Sequence, residues 1–138
     1  MPLMPVAIEI VSPLLLVHVE TSVPVSTVSA TLEAVANMSV VINLSQISFI
    51  NAFASFTVQT ASGAPSSTIG LDISFDGSTG EEHQRFLSGT SDLGIGAIVE
   101  RSDTALAAGN HTATLRFRRV SGTATPGIVV ASMIVFAG

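Results

Sequence analysis

The chain has 138 residues and a formal net charge of −5, which fits a single domain and argues against a protein whose main task is to bind nucleic acid. It contains no Cys, so disulfides, thiolate metal sites and thiol catalysis are excluded. Charged residues make up 11% of the chain and apolar residues 47%, whereas ordinary soluble domains carry about 25% charged residues. So few charges leave much of the surface apolar or weakly polar, which favours self-association.

The most apolar stretch near the N-terminus covers residues 6–19. It is interrupted by Glu9, Ser12, Pro13 and His18. A membrane-spanning helix needs roughly 20 predominantly apolar residues, and a secretory signal needs basic residues ahead of its apolar run. Neither condition is met, so we predict no spanning helix and no membrane partner.

Four of the six prolines lie within the first 24 residues. Because Pro cannot donate to a strand ladder, residues 1–24 are predicted to form an extended arm or edge strands of a single domain that covers residues 1–138. Residues 25–37 are ambiguous, since Val28, Leu32 and Val35 have helical spacing while the alanines around Leu32 alternate as in a strand. This is the one stretch where a short helix is predicted as an alternative.

From residue 38 onwards, alternating apolar side chains predict strands, first over residues 38–44 and then over 47–59. Within the second run the apolar side changes between Phe53 and Phe56. That change predicts a bulge or bend near Ala54, or burial on both faces.

Further strands are predicted over residues 71–76, 95–100, 111–120 and 128–137. Turns are expected at Asp76-Gly77, at Gly109-Asn110 and within residues 121–127. The last strand is almost wholly apolar, which places it at the centre of a sandwich or at a subunit interface. Together these short strands predict an all-β protein, an antiparallel β-sandwich. The jelly roll is the leading topology, and other Greek-key arrangements remain open.

The C-terminal quarter carries a resemblance to a known class of proteins. Residues 108–117 read small-Gly-x-His-Thr-x-x-Leu-x-aromatic, and residues 121–124 read Ser-Gly-Thr-Ala before an apolar terminal strand. The segment 106–138 resembles phage virion surface proteins, namely head fibres, fibre tips and capsid decoration proteins. The resemblance implies a small trimeric jelly roll, similar in shape to C1q and tumour-necrosis-factor-like modules, and it carries over no catalytic residue.

Two groups of residues are candidates for contacts between proteins. Arg116, Arg118 and Arg119 hold three of the five basic side chains, and their guanidinium groups could bind carboxylates of another subunit or of a capsid protein. The alternative is pairing with this chain's own Asp and Glu residues. The second group comprises hydrophobic and aromatic side chains: His18, Phe49, Phe53, Met133 and Val135.

No motif predicts a catalytic residue, a cofactor or a metal ion. The segment from Asp72 to Gly77 begins like a calcium-binding loop, but His83 stands where the bidentate Glu should be. A loose cation contact by Asp76, Glu81 and Glu82 at a subunit boundary is the alternative. His111 follows a predicted turn, where its ring is expected to brace the hairpin.

These observations predict a non-enzymatic virion structural protein, a homotrimer that decorates or stabilises a phage capsid. Its expected partners are copies of itself and a major capsid or other virion protein, with no nucleic acid. The alternative is a receptor- or glycan-binding fibre tip, although the chain lacks the Trp and Tyr that usually stack on sugars. A cellular C1q-like module is also left open.

Overall fold

The computed structural model describes residues 15–62, 66–88 and 93–138. Within these ranges the chain forms strands and turns. In chain order the strands are β1 (Leu16–Thr21), β2 (Val25–Ser26), β3 (Glu33–Leu44), β4 (Ile50–Ser62), β5 (Ser67–Phe75), β6 (His83–Leu87), β7 (Leu93–Arg101), β8 (Gly109–Gly122) and β9 (Thr125–Ala137). No helix in the described ranges is long and apolar enough to cross a membrane.

The strands form two antiparallel sheets that pack face to face. Sheet A has the order β1-β9-β4-β7, and β2 continues the edge of β1 along β9. Sheet B has the order β3-β8-β5-β6. If β1 and β2 are counted as one interrupted strand, the eight strands have the order of a jelly roll, with two interlocked Greek keys. The predicted all-β sandwich and its leading topology are confirmed.

The core lies between the sheets, and the alternation of inward and outward side chains is most regular on β4. On β4, the side chains of Ile50, Ala52, Ala54, Phe56 and Val58 all point inwards and are buried. No change of side occurs near Ala54, so the predicted bulge there is wrong; the register shift against β9 falls between Thr57 and Val58. The pattern was misleading because two of the inward residues, Ala52 and Ala54, are small, while the large apolar Phe53 lies between them on the outer side.

The ambiguous stretch 25–37 contains strands, so the short helix is wrong. Val25 and Ser26 pair with β9, and Glu33 begins β3, which pairs with β8. Between Ala34 and Ser39 the register of β3 shifts, and Asn37 has a φ of 64°. A left-handed residue of this kind is characteristic of a β-bulge. The bulge resets the alternation and produces the helix-like spacing of Val35 and Met38, which are both buried.

Two predicted turns had different outcomes. Asp76 and Gly77 form one, with φ values of 53° and 81° and a hydrogen bond from the Ser78 N–H to the Phe75 carbonyl. Positive φ at both central residues is the reason this dipeptide suits the position. Gly109 and Asn110 instead begin β8, opposite Leu44 and Asn43, so the turn predicted there is wrong.

The predicted N-terminal arm falls mostly on residues 1–14, which lie outside the described ranges. The part that is described, β1, is an edge strand of sheet A, paired with β9 from Leu16 opposite Phe136 to Thr21 opposite Ala131. Strand β6 was missed, because its short sequence offers only Phe86 and Leu87 as a strand signal.

Candidate functional site

The outer faces of the two sheets differ sharply in chemistry. On sheet A nine of the 17 outward side chains of the four paired strands are apolar and two are charged, and we call this surface the apolar face. Its members are Leu16, His18 and Glu20 on β1; Val130, Ser132, Ile134 and Phe136 on β9; Asn51, Phe53, Ser55, Thr57 and Gln59 on β4; and Leu93, Ile95, Ala97, Val99 and Arg101 on β7. Ile95 is 78% exposed and Val99 70%. The apolar side chains lie mainly on β7 and β9 and meet across Phe53 of β4, which pairs with Val99 and Ile134. Exposed apolar patches often mark sites of contact.

The apolar face carries almost no charge. Its charged side chains are Glu20 and Arg101, one of each sign, whereas the whole chain has a net charge of −5. The chain's surplus of negative charge is therefore carried elsewhere, and the face presents no net charge to an approaching surface.

Three of the predicted contact residues lie on or beside the apolar face. Phe53 is at its centre and is partly exposed. His18 lies at its β1 edge, where its Nε2 is 3.0 Å from the Ser132 hydroxyl of β9. Phe49 precedes β4, and the guanidinium carbon of Arg101 sits 3.8 Å from the centre of its ring, a cation–π contact.

Met133 and Val135 lie in the core, and the prediction that they contact another subunit is wrong. Both are completely buried between the sheets, since they share the inward side of β9 with Ala131. The outward side of the same strand carries Ile134 and Phe136 instead. Because β9 is apolar on both sides, sequence alone does not show which half of it faces out.

Arg116 forms an ion pair within the chain. It binds Asp72 of the neighbouring strand β5 bidentately, with 2.8 Å from Nε to Oδ1 and a second contact from Nη2 to Oδ2. The segment after β5 folds over this pair, and the N–H of Gly80 donates to Asp72 Oδ2. Only Gly fits here, because a Cβ on Gly80 would lie 2.3 Å from the carbonyl oxygen of Ile73. Asp72 is consequently inaccessible to solvent.

Arg118 forms the second pair, with Glu82 of the same covering segment. Its Nη2 is 2.9 Å from Glu82 Oε2, and its Nε contacts the other oxygen. The hydrogen bond from Arg118 lowers the pKa of Glu82 despite partial burial, so this carboxylate stays ionised. Arg119 is directed to the carbonyl of Ala124, 3.5 Å away. The alternative prediction, that these arginines pair with carboxylates of their own chain, is confirmed for Arg116 and Arg118.

His111 connects two loops to the start of β8. Its Nδ1 is 2.6 Å from Asp76 Oδ2, and its Nε2 is 2.7 Å from the carbonyl oxygen of Ala107. Both partners are acceptors, so both ring nitrogens must donate, which requires the protonated imidazolium. The hydrogen bonds to Asp76 and Ala107 raise the pKa of His111. The ring braces the loops at this end of the sandwich, whereas the hairpin at Gly109-Asn110 that it was predicted to brace does not form.

This arrangement predicts a pH dependence of stability. The pKa of His111 is raised, so its contribution is complete below about pH 6.5 and is lost as pH rises through the raised value. For Asp76, burial alone would raise the pKa, but hydrogen bonds from His111 and the Thr112 N–H outweigh it and the pKa is lowered. Its contribution is present above about pH 4 and is lost in stronger acid.

We therefore expect the melting temperature of the wild type to exceed that of His111→Gln most between about pH 4 and 6.5. The difference should shrink as the pH is raised towards 9. Differential scanning calorimetry at a series of pH values measures it, and taking the difference cancels other titrating groups. Asp76→Asn should reduce the pH dependence of the melting temperature in the same way as His111→Gln. If the pH dependence in Asp76→Asn equals that of the wild type, the pairing of His111 with Asp76 is refuted.

One cluster of charged side chains was only partly anticipated. Asp76 and Glu82 are engaged by His111 and Arg118, so the predicted cation contact by Asp76, Glu81 and Glu82 is wrong. Glu81 instead lies with His83 and Glu100, and one ligand atom from each comes within 4.8 Å of the others. The missed member, Glu100, is on β7, and only the packing of the two sheets brings it to the other two.

A second exposed feature lies on the outer side of β6. Phe86 is 60% exposed and stands opposite Thr68 of β5. Gln84, two residues earlier on the same side, donates from Nε2 to Glu82 Oε2 at 3.1 Å. An aromatic ring thus lies in line with a hydrogen-bonded amide and carboxylate.

Comparisons with known proteins assign no family. No protein-family model matches the chain, and no curated protein matches it. Solved structures with a similar path of the chain include TmCBM61, determined in complex with beta-1,4-galactotriose. That structure has a TM-score of 0.42 and 11% sequence identity, covering 92% of this chain and 90% of its own. No residue of its site is carried over to this chain.

Proposed function

We propose that this chain is a non-enzymatic structural protein that assembles with copies of itself through the apolar face. The observation that supports this most is the contrast between the two outer surfaces of the sandwich. Sheet B covers most of its outer face with Ser, Thr and satisfied Arg–carboxylate pairs and exposes Val41 and Phe86 singly, whereas sheet A leaves Ile95 and Val99 largely in water beside further apolar side chains. Removing such side chains from water is the main driving force of association.

The size of the apolar face suits a contact between copies. Strand β7 has nine residues, which extend about 30 Å, and four neighbouring strands span about 19 Å. With these dimensions, and with the shorter strand β1 taken into account, the apolar face has an area of about 500 Å² in each copy. Two such faces in contact bury about 1,000 Å² in total. That is about the lower bound for a specific protein interface.

Charge favours a second copy as the occupant of the face. Two copies of an acidic protein repel each other wherever their surplus charge meets. The apolar face avoids this, because Glu20 and Arg101 cancel. The homotrimer, the capsid or other virion protein as further partner, and the position on a phage virion are proposed on the resemblance of residues 106–138.

A charged substitution on the apolar face tests the assembly. Val99→Asp should weaken self-association at least about 100-fold, since a buried unpaired carboxylate costs several kcal/mol and every 1.4 kcal/mol is about tenfold in affinity. The protomer should remain folded, because Val99 is largely exposed in it. Sedimentation equilibrium over a concentration series gives the mass and the dissociation constant, and the wild-type mass gives the stoichiometry.

Val41→Asp is the matched control. Val41 is also an exposed valine on the outer side of a strand, but it belongs to sheet B. We expect it to assemble as the wild type does. A wild type that sediments as a single chain at micromolar concentration would refute self-association, and equal dissociation by both variants would refute the role of the apolar face.

A receptor- or glycan-binding domain is the second candidate, and Phe86 is the observation that favours it. Sugar rings stack on exposed aromatic faces while neighbouring planar polar groups bind their hydroxyls, and Gln84 and Glu82 lie beside this ring. Binding to a glycan array that is abolished in Phe86→Ala and retained in Val41→Ala would favour this function over a purely structural one.

A further inference from the structure

The cluster formed by Glu81, His83 and Glu100 joins the two sheets at one side of the sandwich. His83 is the first residue of β6, the edge of sheet B, and Glu81 lies two residues before it; Glu100 lies on β7, the edge of sheet A. We propose that these three side chains bind a divalent transition-metal ion of the zinc class. The site does not depend on the proposed assembly.

The ligand set fits this chemistry. One imidazole nitrogen and two carboxylate oxygens are ligands that Zn²⁺ accepts in four-coordinate sites with three protein ligands and a water. With bonds of about 2.0–2.2 Å, the ligand atoms of a tetrahedral site are about 3.4 Å apart. The three atoms here lie within 4.8 Å of one another, so side-chain rotations close the remaining gap. Two carboxylates and one neutral imidazole would offset both charges of the ion.

The position of Glu100 is unusual for a strand residue. It pairs with Ala52, which is fully buried, and it shares the inward side of β7 with the buried Ile98. Its carboxylate accepts a hydrogen bond from the backbone N–H of Glu81, which ties it to the other sheet. Burial first, and then the nearby charges of Glu81 and Asp103, raise the pKa of Glu100 although His83 opposes this.

The five arginines of the chain are occupied elsewhere. Arg116 and Arg118 hold Asp72 and Glu82, and Arg101 lies over Phe49. Arg119 is directed to the Ala124 carbonyl, and the guanidinium of Arg85 lies where a side chain on Gly94 would be. Among the described residues no arginine pairs with Glu81 or Glu100, so a bound cation would supply the missing positive charge.

A metal ion here would connect strands that are not paired. Within the described ranges β6 pairs with β5 and β7 pairs with β4, and no ladder joins β6 to β7. An ion held by residues of both edges would close this side of the sandwich. Since metal that binds only the folded chain stabilises it, the consequence can be measured as stability.

Isothermal titration of ZnCl₂ into the metal-free full-length protein tests the site. We expect one ion per chain and a melting temperature that rises with zinc and falls back on adding EDTA. Glu100→Gln and His83→Asn should each weaken zinc binding at least about tenfold. Glu20→Gln, an exposed carboxylate on the apolar face, is the matched control and should bind as the wild type does.

NMR identifies the histidine involved. Zinc should shift the imidazole signals of His83 and leave those of His18 and His111 in place. The proposal is overturned if zinc does not bind up to millimolar concentration, if Glu100→Gln and His83→Asn bind as tightly as the wild type, or if another histidine responds instead. Because sedimentation of these variants should match the wild type, failure of this site is separable from failure of the assembly.

Discussion

Replacing Arg116 with Leu is expected to destabilise the protomer by about 3–5 kcal/mol, because removal of one partner leaves a buried charge uncompensated. Asp72 has no solvent exposure, and besides Arg116 its hydrogen-bond donor in the described part of the chain is the Gly80 N–H. Urea unfolding followed by circular dichroism at a fixed protein concentration measures the loss.

Arg118→Leu is the comparison for this pair. Glu82 and Arg118 keep 21% and 27% of their side-chain surface in solvent, so water replaces much of the lost interaction, and we expect a cost of about 1 kcal/mol or less. The double variant Asp72→Leu/Arg116→Leu should recover most of the stability, because no unpaired charge remains. Equal costs for the two single variants would contradict the burial of Asp72.

Truncation of Ile42 to Ala should cost about 2–5 kcal/mol, whereas Val41→Ala should change stability by no more than about 0.5 kcal/mol. These residues are neighbours on β3, but Ile42 is fully buried and Val41 is 52% exposed. The loss at Ile42 combines the transfer of the removed methyl groups with the cavity left between two sheets that cannot close on it.

The midpoint of urea unfolding for each variant measures this difference. The pair tests the register of β3 after its bulge, because a shift of one residue would exchange the two side chains between core and solvent. Similar costs for both variants, or a larger cost at Val41, would show that the register is wrong.

Most of the fold could be predicted from local pattern. Leu71, Ile73 and Phe75 alternate with polar residues, and that period of two correctly predicts a strand with these three side chains in the core. The pattern does not show that Asp72 and Ser74 on the other side are buried as well. Asp76-Gly77 has the composition that a turn with two positive φ values requires. Two of the errors fell where a local irregularity hides the period, as at Asn37 in β3, and where a strand is too short to show one, as in β6.

The candidate sites were less predictable, because each depends on which strands become neighbours. The arginines of β8 could be recognised as a cluster, but their partners Asp72 and Glu82 lie 44 and 36 residues away. Both sides of β9 are apolar, so the sequence does not show which side faces solvent and which lies in the core. For this reason Met133 and Val135 were predicted at an interface. Only the pairing with β4 and β1 separates them from Ile134 and Phe136.

The sequence by itself determined that this chain forms antiparallel strands around an apolar core, since alternation and turn chemistry are local properties of the chain. It also determined that charge is too scarce to cover the whole surface. The tertiary structure alone decided which outer face is left apolar, which carboxylate each arginine binds, and that Glu100 meets His83. These outcomes follow from strand order and sheet packing, and both are set by contacts between residues far apart in the chain.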